Sequence, residues 1–457
     1  MQRLLDAAAA RIVPHVASLG EQPAADVEGA AELARSLIEA APEHPGSLDA
    51  ALDLLFERAV PKSYNTAGPG YLAYVPGGGL FASAVAAMLA TTVNRYVGVW
   101  AAAPALVQLE TNVVRWFCDI VGYPDAAGGI LTSGGSLANF SAIVAARVAR
   151  LPEDFLKGRM YVSEEAHHSV RKAALLAGFP AHAVRLVATD ERFRMDPTAV
   201  REAVRADRAA GLQPFLLVAS AGTTNSGAVD DLEALADVTE TERLFFHVDA
   251  AYGGFFGLTE RGRAALRGIA RADSIVLDPH KGLFLPYGCG ALVVKNASVL
   301  RRAHSVAADY MPQTQDAHDR VDFSEISPEL SREFRGLRVW LPVKLHGLGA
   351  FRRALDEKLD LARWACDELR RLPGVEIVAE PQLSLFAFRL VSGATDAAAL
   401  DALNRRWLAA VNARQRVHLS GTVLGGRFVL RMCVLSVRTH RDRVAQAVED
   451  LRATAPA

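Results

Sequence analysis

The sequence has few cysteines, and they lie far apart. Its four cysteines are Cys118, Cys289, Cys366 and Cys433, and no two of them form a CxxC pair. This spacing argues against a zinc site and against a disulfide framework, and it is typical of proteins from a reducing compartment. We therefore expect a cytoplasmic protein without a metal site.

Long apolar runs and an excess of one charge are also missing. No stretch of about 18 uncharged apolar residues stands out as a membrane span, and the first residues, with Asp6 and Arg11, lack the apolar core of a signal peptide. Lys and Arg number 50 against 51 Asp and Glu, so the net charge is −1. We expect neither nucleic acid nor a membrane as a partner.

The glycine pattern of nicotinamide-dinucleotide enzymes is absent too. The segment "NTAGPGYLAYVPGGGL" contains G-P-G, but no strand precedes it and no helix follows directly. A nicotinamide-dependent dehydrogenase is therefore disfavoured.

The chain of 457 residues, with 51% hydrophobic and 22% charged residues, has the composition of a globular protein with a large core. Residues 1 to about 60 have helical periodicity. From about 100 to 295, helical stretches alternate with short β-rich runs at 160–163, 185–189, 215–220, 244–249, 274–277 and 291–294. This alternation predicts an α/β fold with a mostly parallel sheet, in which ligands bind at the carboxyl ends of the strands.

The region after residue 304 has a different character. Residues 304–335 are polar and irregular and predict a long loop, which is usually functional or disordered. A long helical region follows, and then a second α+β unit with strands predicted at 375–379, 383–390 and 427–434.

A lysine lies between two predicted strands in "DSIVLDPHKGLFLPYGCGALVV", residues 273–294. A surface lysine in a turn would explain Lys281 equally well when it is considered alone. A buried lysine amine, however, loses its proton more easily and can form Schiff bases.

Three further motifs have an ordinary and a functional interpretation. In "ILTSGGSLANFSAIVAAR" (130–147) a Gly-rich turn opens a helix, which suits a phosphate or is a simple Ser N-cap. In "FHVDAAYGG" (246–254) Asp249 ends an apolar strand and needs a cationic or donor partner. In "SEEAHHSVRKAALLAG" (163–178) His167 and His168 open a helix without further ligands at metal spacing.

One ligand, pyridoxal 5′-phosphate (PLP), explains all four motifs together. Its aldehyde bonds a lysine, its pyridinium nitrogen pairs with a carboxylate, and its phosphate suits a helix N-terminus. An imidazole can stack on the ring. The joint pattern is far more specific than any single motif.

The order of "TSGGS…N", "EAHHSVRKAA", "GTTNSGAVDDL", "HVDAAYGG" and "DPHKG" resembles the group II PLP-dependent amino acid decarboxylases, and the likeness spans nearly the whole chain. The resemblance implies a fold-type I enzyme with a seven-stranded-type sheet. It also implies a homodimer with the active site at the interface and an amino acid substrate. The implied units are an N-terminal helical dimerisation segment (1–62), a large PLP-binding domain (63–345) and a small C-terminal α+β domain (346–457).

The resemblance also implies roles for individual residues. Lys281 would be the Schiff-base lysine, Asp249 the pyridinium partner and His167 the stacking and catalytic histidine. The residues expected to hold the phosphate are Gly135, Ser136 and His280. The residues expected to line the ring are Thr224 and Ala251.

The sequence departs from the family at one position that affects the reaction. "VDFSEISPELSREFRGLRVW" (321–340) aligns with the family's mobile loop, and Phe323 then replaces the Tyr that protonates Cα after CO₂ leaves. That change resembles the aldehyde synthases, which couple decarboxylation to oxidative deamination. Tyr310, His304 or His318 are alternative proton donors.

The substrate side also departs from the family. Tyr74 and Pro76 match an aromatic-rich pocket segment, but three glycines follow and predict a smaller or more mobile wall. Tyr96 and Trp100 are expected to line the pocket from the partner subunit, with core packing as the alternative. Arg431 is a candidate for binding the substrate carboxylate.

Further departures are Asp278 and Gly282, where relatives often have Asn and Trp, and His168, where Ser is common. The predicted reaction is decarboxylation of an L-amino acid, by family likeness an aromatic one, with aldehyde formation as the alternative. An aminotransferase, a cysteine desulfurase and a catalytically silent PLP-fold protein fit the motifs less well.

Overall fold

The structure is a computed structural model that describes residues 1–305, 320–391 and 396–456. The α-helices in these residues are α1 (Gln2–Ala17), α2 (Ala30–Ser36), α3 (Leu48–Asp53), α4 (Phe81–Val93), α5 (Pro104–Ile120), α6 (Gly135–Arg150), α7 (His168–Leu176), α8 (Pro197–Ala209), α9 (Leu232–Glu242), α10 (Glu260–Ala265), α11 (Pro279–Gly282), α12 (Ser298–His304), α13 (Phe323–Ile326), α14 (Gly336–Arg370), α15 (Ala397–Asn412) and α16 (Arg441–Thr454).

The strands form two sheets. They are β1 (Gly128–Thr132), β2 (Gly158–Ser163), β3 (Val184–Val187), β4 (Gln213–Ser220), β5 (Phe245–Asp249), β6 (Ser274–Leu277), β7 (Gly290–Val294), β8 (Val375–Ala379), β9 (Leu385–Leu390), β10 (Ser420–Leu424) and β11 (Arg427–Cys433).

The larger sheet has seven strands in the order β1-β7-β6-β5-β4-β2-β3. Strands β3, β2, β4, β5 and β6 run parallel, whereas β7 pairs antiparallel with both β6 and β1. Every residue of β2, β6 and β7 is buried. Strands buried on both faces have continuous apolar sequences, which is why these runs were recognisable. The predicted α/β fold with a mostly parallel sheet is confirmed.

Register brings the carboxyl ends of the central strands together. Ser220 at the end of β4 lies opposite Asp249 at the end of β5, and Asp249 lies opposite Val276 of β6. The chain leaves β6 through Asp278 directly into α11. This edge is where open α/β sheets bind their ligands.

The smaller sheet is antiparallel, in the order β10-β11-β9-β8, and has a hydrophobic core of its own around Phe386, Phe388 and Trp407. Its strand β10 is missing from the sequence prediction. That strand is short, contains Gly421 and is only partly buried, so it lacks a clear strand pattern.

The predicted domain limits coincide only partly with the ends of secondary-structure elements. Helix α14 crosses the predicted boundary at residues 345 and 346. Its one non-helical residue is Gly347, with φ 70° and ψ 151°, close to that boundary. The limits of the three units stay a prediction.

The N-terminal helices are present as predicted, but they are not covered within one chain. None of α1, α2 and α3 contains a buried residue, and Leu4, Leu5 and Val13 are exposed. Apolar helix faces need a partner surface. No helix in the described residues is both long and apolar enough to span a bilayer.

Candidate active site

A cavity of about 310 Å³ opens at the carboxyl edge of the larger sheet. This volume lies at the lower end of the roughly 300–1,000 Å³ typical of small-molecule sites. All eight residues predicted to bind the cofactor line it: Gly135, Ser136, His167, Thr224, Asp249, Ala251, His280 and Lys281. Segments separated by up to 146 residues in sequence therefore meet at one place.

Lys281 lies on the one-turn helix α11, and its side chain is 22% exposed. Its Nζ is 2.9 Å from Oδ2 of Asp278, which is almost completely buried. Burial alone would lower the pKa of Lys281, but the charge and hydrogen bond of Asp278 outweigh burial, so the pKa is raised. The lysine is therefore an ammonium group inside a cavity rather than a surface side chain.

Asp249 is held at both carboxylate oxygens. Its Oδ2 accepts a hydrogen bond from Nδ2 of Asn139 at 3.0 Å, and its Oδ1 accepts one from the backbone N–H of Ala251 at 3.2 Å. These bonds fix the orientation of the carboxylate at the end of β5. A fixed anion at this point suits a cationic ring nitrogen.

A buried hydrogen-bond network extends behind Asp249. The Asn139 side-chain nitrogen donates to Asp249 and, at 3.1 Å, to the Ser169 hydroxyl. The Asn139 side-chain oxygen can only accept, so it accepts a hydrogen bond from His247 Nε2 at 2.9 Å. The other ring nitrogen of His247 is 2.7 Å from the Ser274 hydroxyl. Burial lowers the pKa of His247 to about 4, so this histidine is neutral at physiological pH.

The sequence analysis assigned no role to Asn139, Ser169 or His247. The signal for Asn139 was present, since it follows Gly135 by four residues on α6 and therefore shares its helix face. Ser169 and His247 carry no comparable sequence signal, because their importance depends on contacts between distant elements.

His167 is both a helix cap and a cavity residue. Its Nδ1 accepts from the backbone N–H of Ser169 at 3.3 Å and lies 2.7 Å from the Ser169 hydroxyl. The accepting Nδ1 carries no proton, so in the neutral ring the proton is on Nε2. Burial lowers the pKa of His167, which favours this neutral form. His167 thus caps α7 and lines the cavity, and its stacking and catalytic role stays a prediction.

The start of α6 is closely packed against the segment that precedes Lys281. A Cβ atom at Gly135 would lie 3.2 Å from Asp278 Oδ2 and 3.3 Å from Ala251 Cβ, so a side chain would displace its neighbours. Backbone N–H groups at a helix start, with the positive end of the helix dipole, favour an anion. This turn can receive a phosphate.

His280 lies against the same turn. Its Nδ1 is 2.6 Å from the carbonyl of Cys289, and because a carbonyl only accepts, Nδ1 must donate. Burial lowers the pKa of His280, which leaves Nε2 of the neutral ring as an acceptor. A bond from Nε2 to a phosphate therefore requires that the ring gain a proton.

Lysine, carboxylate, imidazole and helix N-terminus thus converge on one cavity, and this set fits PLP. The described residues contain no cluster of three or more His, Cys, Asp or Glu side chains that could hold a metal ion. All four cysteines are free and buried.

The predicted substrate residues do not line this cavity within one chain. Tyr74 is exposed and has φ 52°, and Pro76 is buried behind it. The Tyr96 hydroxyl donates to the carbonyl of Leu330 at 2.9 Å. The ring of Trp100 lies 4.4 Å from the Arg320 guanidinium. Their proposed role from the partner subunit stays a prediction.

Arg431 is not directed at the cavity, contrary to expectation. It is almost fully buried, and its guanidinium donates to the carbonyls of Asn225, Thr224 and Tyr74 and to the Ser420 hydroxyl. Buried cations are stable only when such acceptors surround them. In this structure Arg431 joins three segments of chain instead of presenting a free group to a carboxylate.

Phe323 also lies away from the cavity of its own chain. It begins α13, is 1% exposed within the main core, and its ring lies 4.6 Å from the Arg332 guanidinium. The prediction of an irregular loop is wrong for residues 323–326. Of the alternative proton donors, Tyr310 and His318 lie outside the described residues, and His304 lies outside the cavity lining.

The glycines after Pro76 serve close packing. A Cβ at Gly78 would lie 2.5 Å from Phe284 Cβ, and one at Gly77 would lie 3.0 Å from the Tyr287 ring. The space that larger side chains would need is therefore filled by residues 284–287. This packing does not support the expectation of a more mobile wall.

The arrangement defines a PLP enzyme, and comparison with known proteins identifies its family. The pyridoxal-dependent decarboxylase conserved domain matches residues 31–391. The aromatic-L-amino-acid decarboxylase of Bacillus atrophaeus is 33% identical over 446 residues, which cover 97% of this chain and 93% of the relative. The chain therefore belongs to the family of pyridoxal-dependent amino acid decarboxylases.

Two solved structures share the whole fold. The Oryza sativa TDC with PLP and tryptamine has a TM-score of 0.94 and 27% identity, covering 99% of this chain and 97% of that one. The 4-hydroxyphenylacetaldehyde synthase of Rhodiola rosea has a TM-score of 0.90 and 26% identity, covering 98% and 96%. PLP is the cofactor, and members with two different outcomes share the fold.

Proposed function

We propose that this chain decarboxylates an L-amino acid, with an aromatic amino acid as substrate, to give the amine and CO₂. The observation that carries the proposal is the convergence of Lys281, Asp249 and His167 on one cavity. The similarity to an aromatic-L-amino-acid decarboxylase over nearly the whole chain supports the choice of substrate class.

PLP supplies an electron sink for the carbanion that remains when CO₂ leaves. Lys281 would hold the aldehyde carbon and afterwards serve as a base in substrate exchange. Asp249, fixed by Asn139 and Ala251, would keep the ring nitrogen protonated. The helix start at Gly135 and Ser136, with His280, would bind the phosphate, and Thr224 and Ala251 would line the ring.

His167 would stack on the ring and present its Nε2 proton to the substrate carboxylate. The hydrogen bonds that Nδ1 receives from Ser169 hold the ring in this tautomer. Loss of CO₂ is favoured when the substrate carboxylate is held in a poorly solvated position. We assign His167 to that positioning.

A homodimer completes the proposal. Within one chain the N-terminal helices bury no residue, and Met88, Leu89 and Val93 of α4 are exposed. Tyr96 and Trp100 would then complete the substrate pocket from the partner. Light scattering should give twice the chain mass of 49.0 kDa; a monomer with full activity would contradict this part of the proposal.

The alternative outcome is an aldehyde. Phe323 has no exchangeable proton, and a 4-hydroxyphenylacetaldehyde synthase shares the fold. In that reaction the amino acid, O₂ and water give the aldehyde, CO₂, ammonia and H₂O₂, so O₂ is the oxidant.

The test is to incubate PLP-loaded enzyme with a panel of L-amino acids in air. CO₂, amine, aldehyde and H₂O₂ are followed together. Equal amounts of CO₂ and amine from an aromatic substrate support the proposal. CO₂ with aldehyde and H₂O₂ overturns it in favour of the alternative, and no CO₂ from any amino acid overturns both.

A further inference from the structure

Asp278 has no role in the function proposed above, yet it is the closest charged neighbour of Lys281. It follows β6, is 2% exposed and lines the cavity. Its Oδ2 forms the 2.9 Å ion pair with Lys281 Nζ. Its Oδ1 is buried and has no hydrogen-bond partner among the residues that the structure describes. A buried carboxylate with one unsatisfied oxygen is costly and calls for an explanation.

His280 does not share the charge of Asp278. Its Nε2 is 3.6 Å from Asp278 Oδ2, beyond hydrogen-bond distance. Because Nδ1 donates to the Cys289 carbonyl, the neutral ring has only a lone pair on Nε2. Lys281 is therefore the group that balances Asp278 in the described part of the chain.

Other titratable groups face Lys281 from the elements around it, and they do not replace Asp278. They are Asp249 at the end of β5, Cys433 of β11, His167 before α7 and His280 of α11. Burial raises the pKa of Cys433 to about 12 and lowers the pKa values of both histidines, so these three groups are neutral near physiological pH. Asp249 is already held by Asn139 and Ala251.

We propose that Asp278 is a positioning residue that holds Lys281 as an ammonium group and so sets the pH at which the cofactor attaches. An amine bonds an aldehyde only in its neutral form, so the ion pair must release a proton before the nitrogen–carbon bond forms and the aldehyde oxygen leaves as water. The proposal rests on the role assigned to Lys281 above. It concerns loading of the enzyme, so it is independent of whether amine or aldehyde is the product.

A second effect of Asp278 must be separated from the first. Its carboxylate lies beside Gly135, where the phosphate would bind, so it also repels that anion. Pyridoxal has the same aldehyde but no phosphate. A change seen with both compounds reports on Lys281, whereas a change seen with pyridoxal 5′-phosphate alone reports on the phosphate.

The experiment measures attachment of both compounds to the full chain, freed of cofactor, between about pH 6 and about pH 11, a range that includes the ordinary lysine pKa of about 10.4. Absorbance gives the rate, and borohydride reduction with peptide mass spectrometry gives the lysine. The variants are Asp278→Asn and Asp278→Ser. Asp273→Asn is the matched control, since Asp273 lies at the opposite end of β6 and accepts from Phe246 N–H at 2.8 Å.

Without the carboxylate, burial lowers the pKa of Lys281 and more of it is neutral at a given pH. We expect Asp278→Asn to bond both compounds about tenfold faster or more at neutral pH, with the rates converging towards wild type in alkali. Asp273→Asn should behave as wild type.

Three results would overturn the proposal. One is an unchanged pH profile in Asp278→Asn and, should that variant not fold, in Asp278→Ser. The second is acceleration with pyridoxal 5′-phosphate but not with pyridoxal. The third is an equal shift in Asp273→Asn. Attachment that persists in Lys281→Ala would instead remove the assignment of Lys281, and the proposed function with it.

Discussion

The cofactor cavity and the surface around Tyr96 and Trp100 differ in how much of their surroundings one chain supplies. In the cavity, Asp249 and His167 are each fixed by hydrogen bonds from the same chain. Tyr96 is exposed, and neither it nor Trp100 reaches the cavity. The difference teaches that one chain brings together the residues predicted to hold the cofactor, whereas the residues predicted to contact the substrate stay apart from that cavity.

The same contrast separates Phe323 from Lys281. Lys281 faces the cavity and forms an ion pair with Asp278. Phe323 instead packs in the core, with its ring against the Arg332 guanidinium. The predicted site of cofactor attachment therefore lies in a cavity that this chain forms, whereas the predicted proton-donor position does not. Two of the alternative proton donors, Tyr310 and His318, lie outside the described part of the chain.

The largest effect is expected at Lys281. Lys281→Ala removes the amine that bonds the cofactor and acts as a base, so turnover should fall by at least about 10³-fold. Lys295→Ala, which changes a lysine just after β7 and outside the cavity, should keep wild-type turnover. Steady-state CO₂ release measures both. Comparable activity in the two variants would contradict the assignment of Lys281 as the lysine that bonds the cofactor.

The network behind Asp249 should have a smaller but measurable effect. Asn139→Ala removes a donor to a charged group, worth about 1.5–3 kcal/mol, so the rate should fall by about 10- to 100-fold. Ser141→Ala is the matched control, because its buried hydroxyl on the same helix has no hydrogen-bond partner in the described part of the chain. The absorbance of the bound cofactor should change only in Asn139→Ala. Equal rates in both variants would show that the network does not orient Asp249.

Phe323→Tyr tests which region this residue belongs to. If its ring lies in the core of its own chain, the added hydroxyl is buried without a partner and the free energy of unfolding should fall by about 1–3 kcal/mol. Phe334→Tyr, at another buried position in the same core, should lose a similar amount. Chemical denaturation measures both. Unchanged stability for Phe323→Tyr alone would place its ring outside the core.

The smallest effect concerns the acidic side of the pH profile. Burial lowers the pKa of His167 below the ordinary value of 6.5, so its neutral ring persists as the pH falls towards that value. If the neutral tautomer positions the substrate, kcat should stay constant as the pH falls to that lowered pKa. It should decrease only at pH values below it. His167→Asn should lose this acidic limb. A limb centred above 6.5 in wild type would show that another group controls the rate.

The fold was largely predictable because buried parallel strands have continuous apolar sequences, as Phe215–Ala219 of β4 and Ile275–Leu277 of β6 show. The residues that line the cavity were predictable because each lies in a short local motif at a strand or helix end. Asn139 and His247 were not, since their significance arises only when α6 packs against β5. Arg431 was misjudged because sequence shows its charge but not the four acceptors around it.

The most direct test of the account is to reduce the PLP-loaded protein with borohydride and locate the modified lysine by peptide mass spectrometry. The account predicts one pyridoxyl group per chain, on Lys281, and none in Lys281→Ala. A pyridoxyl group on another lysine, or none at all, would contradict the assignment of this cavity as the cofactor site.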